Sequence, residues 1–158
     1  MLSAFLKKLL FARQLYMSDG RIEVLGTKQV MLPSNIIVSL QRLDEEQYYT
    51  LIKAGIQQNL RDYTKRIGST SQGMFKITED IFETFGMGRP EILIFDQKKK
   101  VATIRFHGQM VAGMDQLEHV KLVPAALAGM FSFLFDKDIN CTVTKCDAKM
   151  GVCEYQVS

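Results

Sequence analysis

Apolar residues recur at helical spacing after Asp44. Tyr48, Leu51, Ile52, Ile56, Leu60, Tyr63 and Ile67 stand three or four apart, or at multiples near them, and form one stripe on a helix ending at Gly68. Asp44 opens that helix as a cap for free backbone N–H groups, with Gln47 at the capping-box position. A polar loop at 69–73 precedes a second helical face, Ile77, Ile81, Phe82 and Phe85, stopped by Gly86 and Gly88. Upstream, 9–17 and 21–25 flank Ser18-Asp19-Gly20 and predict a β-hairpin, because Asp-Gly tolerates positive φ at both positions. Pro33-Ser34 opens a short helical stretch over 35–43.

Residues 91–95 and 101–106 read as strands joined by the turn 96–100. Its three lysines, Lys98 to Lys100, are most simply a solvated hairpin tip, with phosphate binding the alternative. Asp115 and Glu118 form another capping box for a helix over 117–135, which Pro124 either kinks or starts afresh. From Leu122 to Phe135 nearly every residue is apolar except Ser132. A helix apolar all round must be buried all round, so it is central to the domain or lines a cavity or dimer interface. Residues 139–146 and 152–157 close the chain as a hairpin. This order predicts an α+β fold, an antiparallel sheet packed against a helical layer. Residues 1–43, a hairpin and short helix, are expected to be integral to one globular domain whose body is 44–158.

Composition narrows the classes. The chain has 158 residues, 47% hydrophobic and 23% charged, which excludes long disorder and fibrous classes. At this length roughly two thirds of the unfolded surface can be buried, so folding needs no staple. A net charge of +3 without a localised basic patch gives no case for nucleic acid. The run 122–135 is too short to cross a bilayer of about 30 Å. Lys7 and Lys8 interrupt the first apolar run, which therefore reads as part of the fold, or as a short amphipathic helix, and not as a signal peptide. A cytoplasmic protein without a membrane span is expected.

Catalytic patterns are sparse. Gly86-Met87-Gly88 precedes a strand and so is no dinucleotide fingerprint. His107 and His119, the two histidines, form no metal pair or protease-like pattern. An enzyme, whether a reductase or cysteine-dependent, is the least supported reading. The cysteines are the sharpest local feature. Cys146 and Cys153 flank the last turn and can face each other across it. They could be small buried hydrophobes, a redox-labile pair, or half of a tetrahedral zinc site completed by His119, Cys141 or Asp147. Regular strand alternation puts Cys141 and Cys146 on opposite faces. The apolar helix faces a strand region carrying Ala102, Ile104, Phe106 and Tyr155. With nine methionines in the chain, that suits either a greasy pocket or a plain core.

Several stretches together resemble the vinyl-4-reductase domain family. They are Tyr48-Tyr49 with Lys53-Ala54-Gly55, Phe85-Gly86-Met87-Gly88-Arg89 before Glu91-Ile92, Leu127-Ala128-Gly129-Met130, and the closing run from Thr144 through Cys146 and Cys153 to Tyr155. The match is in order from about Tyr48 to Val157. The resemblance implies the fold shared by heme-based nitric-oxide sensors and TRAPP-like Golgi transport subunits. It implies homodimers and an enclosed apolar pocket for small hydrophobic ligands, such as the aromatic effectors of phenol-sensing regulators. That branch binds zinc through two hairpin cysteines, an acid three residues before the first, and a cysteine on the buried helix. The hairpin pair matches Cys146 and Cys153. The acid position falls on Val143 and the helix position on or near Pro124, neither a zinc ligand, so His119 or Asp147 would have to substitute. The second glycine of the buried helix falls on Phe133.

The expected function is therefore a non-catalytic small-molecule-binding, sensory domain. It would act as a homodimer and signal through a separate effector protein. Expected pocket walls are Phe106, His107, Leu127, Met130 and Phe131. His107 would be the polar handle, unless it is a strand-end histidine bonded to water or backbone. The alternative is an interaction module of the transport-complex type.

Overall fold

The computed structural model describes residues 4–67, 71–108, 120–147 and 149–158. Helix α1, Ala4–Phe11, packs on the first strand and on a later helix, burying Leu9. Because Leu9 is helical, the hairpin begins later than its apolar pattern suggested: β1 spans Leu15–Ser18 and β2 Arg21–Val24. Asp19 and Gly20 both take positive φ at the turn. A third strand, β3 (Thr27–Gln29), had no sequence signal. A second tight turn through Leu25 and Gly26, also at positive φ, folds it back onto β2.

Helix α2 covers Ser34–Leu40, and α3 runs over Glu45–Ile67. The Asp44 carboxylate accepts the Gln47 backbone N–H at 2.9 Å, as a cap should. Tyr48, Leu60 and Tyr63 of the α3 stripe are buried, but Leu51 is 70% exposed. The stripe is therefore narrower than the sequence spacing implied. Helix α4, Ser71–Thr84, begins within the stretch expected to be a loop. The capping pair Asp115 and Glu118, and His119, lie outside the described residues.

The second sheet has the order β4-β5-β7-β6, antiparallel throughout, with β4 Arg89–Asp96, β5 Val101–His107, β6 Cys141–Asp147 and β7 Val152–Val157. One face is apolar: Ala102, Ile104, Phe106, Cys153, Tyr155 and Val157 are all buried. Two bulges interrupt the alternation. One at Leu93 turns Phe95 toward that face, opposite Ala102. The other, at Thr144, shifts the parity of β6, so Cys146 pairs directly with Cys153. Cys141 and Cys146 thus share a face, against the regular alternation expected from sequence.

Helix α5, Leu122–Phe135, lies between this face and α3. Pro124 falls in its first turn, so the proline starts the helix and does not kink it. Every residue from Leu122 to Ser132 is buried, as is Phe135, while Phe133 and Leu134 are half-buried. Each large apolar side chain so placed contributes about 1.5–3 kcal/mol. Ser132 is satisfied inside the core, since its hydroxyl accepts the Ile139 N–H at 3.0 Å. Gly129 sets how closely the helices approach. A Cβ there would collide with the Lys53 carbonyl oxygen of α3 and come within 3.1 Å of Ile56 Cβ.

Two glycines of the helix pair should therefore respond in opposite directions. Gly129→Ala is expected to lower stability by about 1–3 kcal/mol through overpacking. Gly55→Ala, whose Cβ would meet open space in mid-helix, should raise it by about 0.5–1 kcal/mol. Urea denaturation followed by circular dichroism measures both.

Candidate functional site

The layer between α5 and the four-stranded sheet is built mainly of aromatic rings. Phe131 meets Phe75 edge-on at 5.7 Å between centroids and lies 5.4 Å from Phe135. Phe95 stacks on Phe135 at 5.5 Å and meets Phe75 at 5.0 Å. Phe106 sits edge-on to Phe82 at 5.6 Å and to Tyr155 at 6.1 Å. Four of the expected pocket residues, Phe106, Leu127, Met130 and Phe131, come together in this one core. All are at most 3% exposed, so their side chains pack against neighbours.

His107 is not among them. It follows Phe106 on β5 and so points to the sheet's other face. There its Nε2 lies 2.8 Å from Glu91 Oε2. That hydrogen bond, with Arg105 and Arg89 nearby, holds the Glu91 carboxyl below its usual range. Arg105 also pairs with Glu154 at 2.8 Å. The histidine belongs to a polar surface network, and strand parity in the sequence was already the signal for it.

The hairpin cysteines do not present two thiolates: Cys146 and Cys153 are joined as a disulfide across β6 and β7, with Cα atoms 4.1 Å apart. The zinc implied by the family resemblance does not fit the described residues. Its remaining positions carry Val143 and Pro124, and no group of three His, Cys, Asp or Glu is gathered among the described residues. Cys141 is the free cysteine, and burial pushes its thiol well above the ordinary value.

An open groove of about 480 Å³ lies where the first turns of α3 and α5 meet β6. Tyr49, Pro124, Cys141 and Val143 line it, with Glu45, Glu46 and Lys121 at the charged side. Tyr49 fixes this corner, because its hydroxyl accepts the Cys141 N–H at 3.0 Å and faces the Cys141 carbonyl at 3.4 Å. Residues 92 apart in sequence gave no sign of that bond. Its neighbour Tyr48 is the opposite case. The Tyr48 hydroxyl is buried without a hydrogen-bond partner among the described residues, and burial raises its pKa to about 12.

No family model matches the sequence, and no curated protein matches it significantly. Solved structures do match in shape. The phenol-responsive sensory domain of the transcription activator PoxR, solved with phenol, superposes with a TM-score of 0.69 at 18% identity, covering 99% of this chain and 90% of that one. A trafficking protein particle complex subunit 3 from Naegleria fowleri, covalently bound to palmitic acid, gives 0.51 at 14% identity, over 78% of this chain and 90% of that one. A vinyl-4-reductase family protein from Methanocaldococcus jannaschii gives 0.50 at 15% identity, over 84% and 83%. The chain therefore has the α+β fold of the PoxR sensory domain, shared with the other two structures. Among the described residues no helix is long and apolar enough to cross a membrane.

The two adjacent tyrosines should separate in mutagenesis. Tyr48→Phe removes an unsatisfied buried hydroxyl and is expected to leave stability unchanged or raise it, whereas Tyr49→Phe should cost about 1 kcal/mol. The folded-state pKa of Tyr48 lies above the ordinary 10.0, so only the unfolded chain loses that proton between pH 10 and 12. Wild-type stability should fall across that window. A Tyr48→Phe protein should fall less steeply in parallel urea titrations.

Proposed function

We propose that this protein is a non-catalytic domain that binds a small apolar or aromatic ligand in the layer between α5 and the sheet. Phe106, Leu127, Met130 and Phe131 would form its walls. The observation carrying this reading is the full-length likeness to a sensory domain that binds phenol, joined to a helix that is apolar on every side. The wall residues are packed against one another, so a ligand entering there must move rings. Binding would then be coupled to a change of shape, which a sensor needs.

The protein acts, on this reading, as a cytoplasmic homodimer that signals to a separate effector. Exposed apolar side chains favour the dimer. Most of the large ones among the described residues fall between Leu10 and Leu51, including Phe11 at 94%, Val30 at 81% and Leu43 at 84%. Apolar exposure concentrated in that part of the chain supports an interaction role for it. The same feature supports the second reading, a scaffold of the transport-complex type, in which that stretch serves a different partner.

Native mass spectrometry and thermal unfolding test the ligand. A retained apolar molecule is expected, and added phenols should raise the midpoint by several degrees, since a ligand at 100 times its Kd stabilises by about 2.7 kcal/mol. A ligand-free protein unmoved by a panel of phenols and fatty acids would sink the ligand-binding reading. Light scattering should show a dimer that Leu43→Asp, with unchanged circular dichroism, converts to a monomer.

A further inference from the structure

The last hairpin is placed for chemistry that the ligand reading does not use. The Thr144 bulge brings Cys146 opposite Cys153 on the inner face of the sheet, where the two are bonded. The two residues differ in exposure: Cys153 is 1% exposed, while Cys146 is only half-buried. The adjoining turn is a solvated one, with the Asp147 carboxylate accepting the N–H groups of Lys149 and Met150 at 3.0 and 3.1 Å, and Met150 73% exposed. On its other side Cys153 pairs in register with Phe106, whose ring belongs to the aromatic layer.

We propose that Cys146 and Cys153 form a reversible thiol–disulfide site that exchanges with low-molecular-weight thiols of the glutathione class. The small thiolate attacks Cys146 Sγ, the sulfur of the more exposed residue of the pair. A new S–S bond forms between the small thiol and Cys146, the Cys146–Cys153 bond breaks, and Cys153 leaves as a thiolate that takes a proton from water. A second small thiolate then attacks its counterpart on Cys146. This releases the small-molecule disulfide and leaves two protein thiols, so two electrons pass to the protein. Oxidation runs the same steps backwards with the small-molecule disulfide as oxidant. The inference stands apart from the proposed ligand, since it needs only the hairpin.

Thiol counting on the intact protein tests it. Protein isolated without reductant, alkylated in denaturant and weighed should carry one label, on Cys141. Native incubation across a series of reduced-to-oxidised glutathione ratios should move that count from one to three through a single midpoint. With oxidised glutathione, Cys153→Ser should trap a mixed disulfide on Cys146, and Cys146→Ser should trap at least tenfold less on Cys153. A disulfide that persists at every native ratio would make the bond an inert cross-link and overturn the proposal. So would three free thiols accompanied by one zinc per chain on isolation, or equal trapping by the two variants.

Discussion

A main-chain contact between two helices governs this fold. At Gly129 the backbone of α5 comes so close to the Lys53 carbonyl of α3 that no side chain fits between them. Such an approach needs glycine on one helix, and it draws the polar tips of α3 over the far end of α5. Lys53 then reaches Asp138 at 2.7 Å and Asn140 at 3.2 Å, and Tyr49 reaches the main chain of Cys141. The exposed Asp138 end of that ion pair adds little energy in solvent. The bonds act chiefly to set where β6 begins relative to α5.

Much of this was legible in the chain. The α3 helix, the Asp44 cap, the Asp19-Gly20 turn and the wholly apolar α5 each follow from spacing or residue chemistry, and each stands where the pattern put it. What was illegible depended on backbone states without a residue signature. Leu25 takes positive φ although leucine does not favour it, and β3 exists because of that turn. Leu51 fits the helical period yet faces solvent, because periodicity places a residue on a face without saying how wide the covered part is.

The site divides the same way. That Phe106, Leu127, Met130 and Phe131 would meet was readable from one apolar helix and one alternating strand. Whether the space among them is hollow or filled was not, because composition is identical in both cases. His107 was within reach of the sequence, since neighbours on a strand face opposite ways, and its partner Glu91 completes a surface network. The cysteine pairing depended on a single extra residue at Thr144 that no pattern marks.

That extra residue also sets the facing of everything that follows it in β6. Counting β6 as evenly pleated would assign everything after Val143 to the wrong side of the sheet, and with it the partner of each side chain across β7. The strand resumes its pairing with β7 within one step, so the bulge changes facing without ending the sheet. One extra residue thus decides which side chains near the chain's end meet the core and which meet solvent.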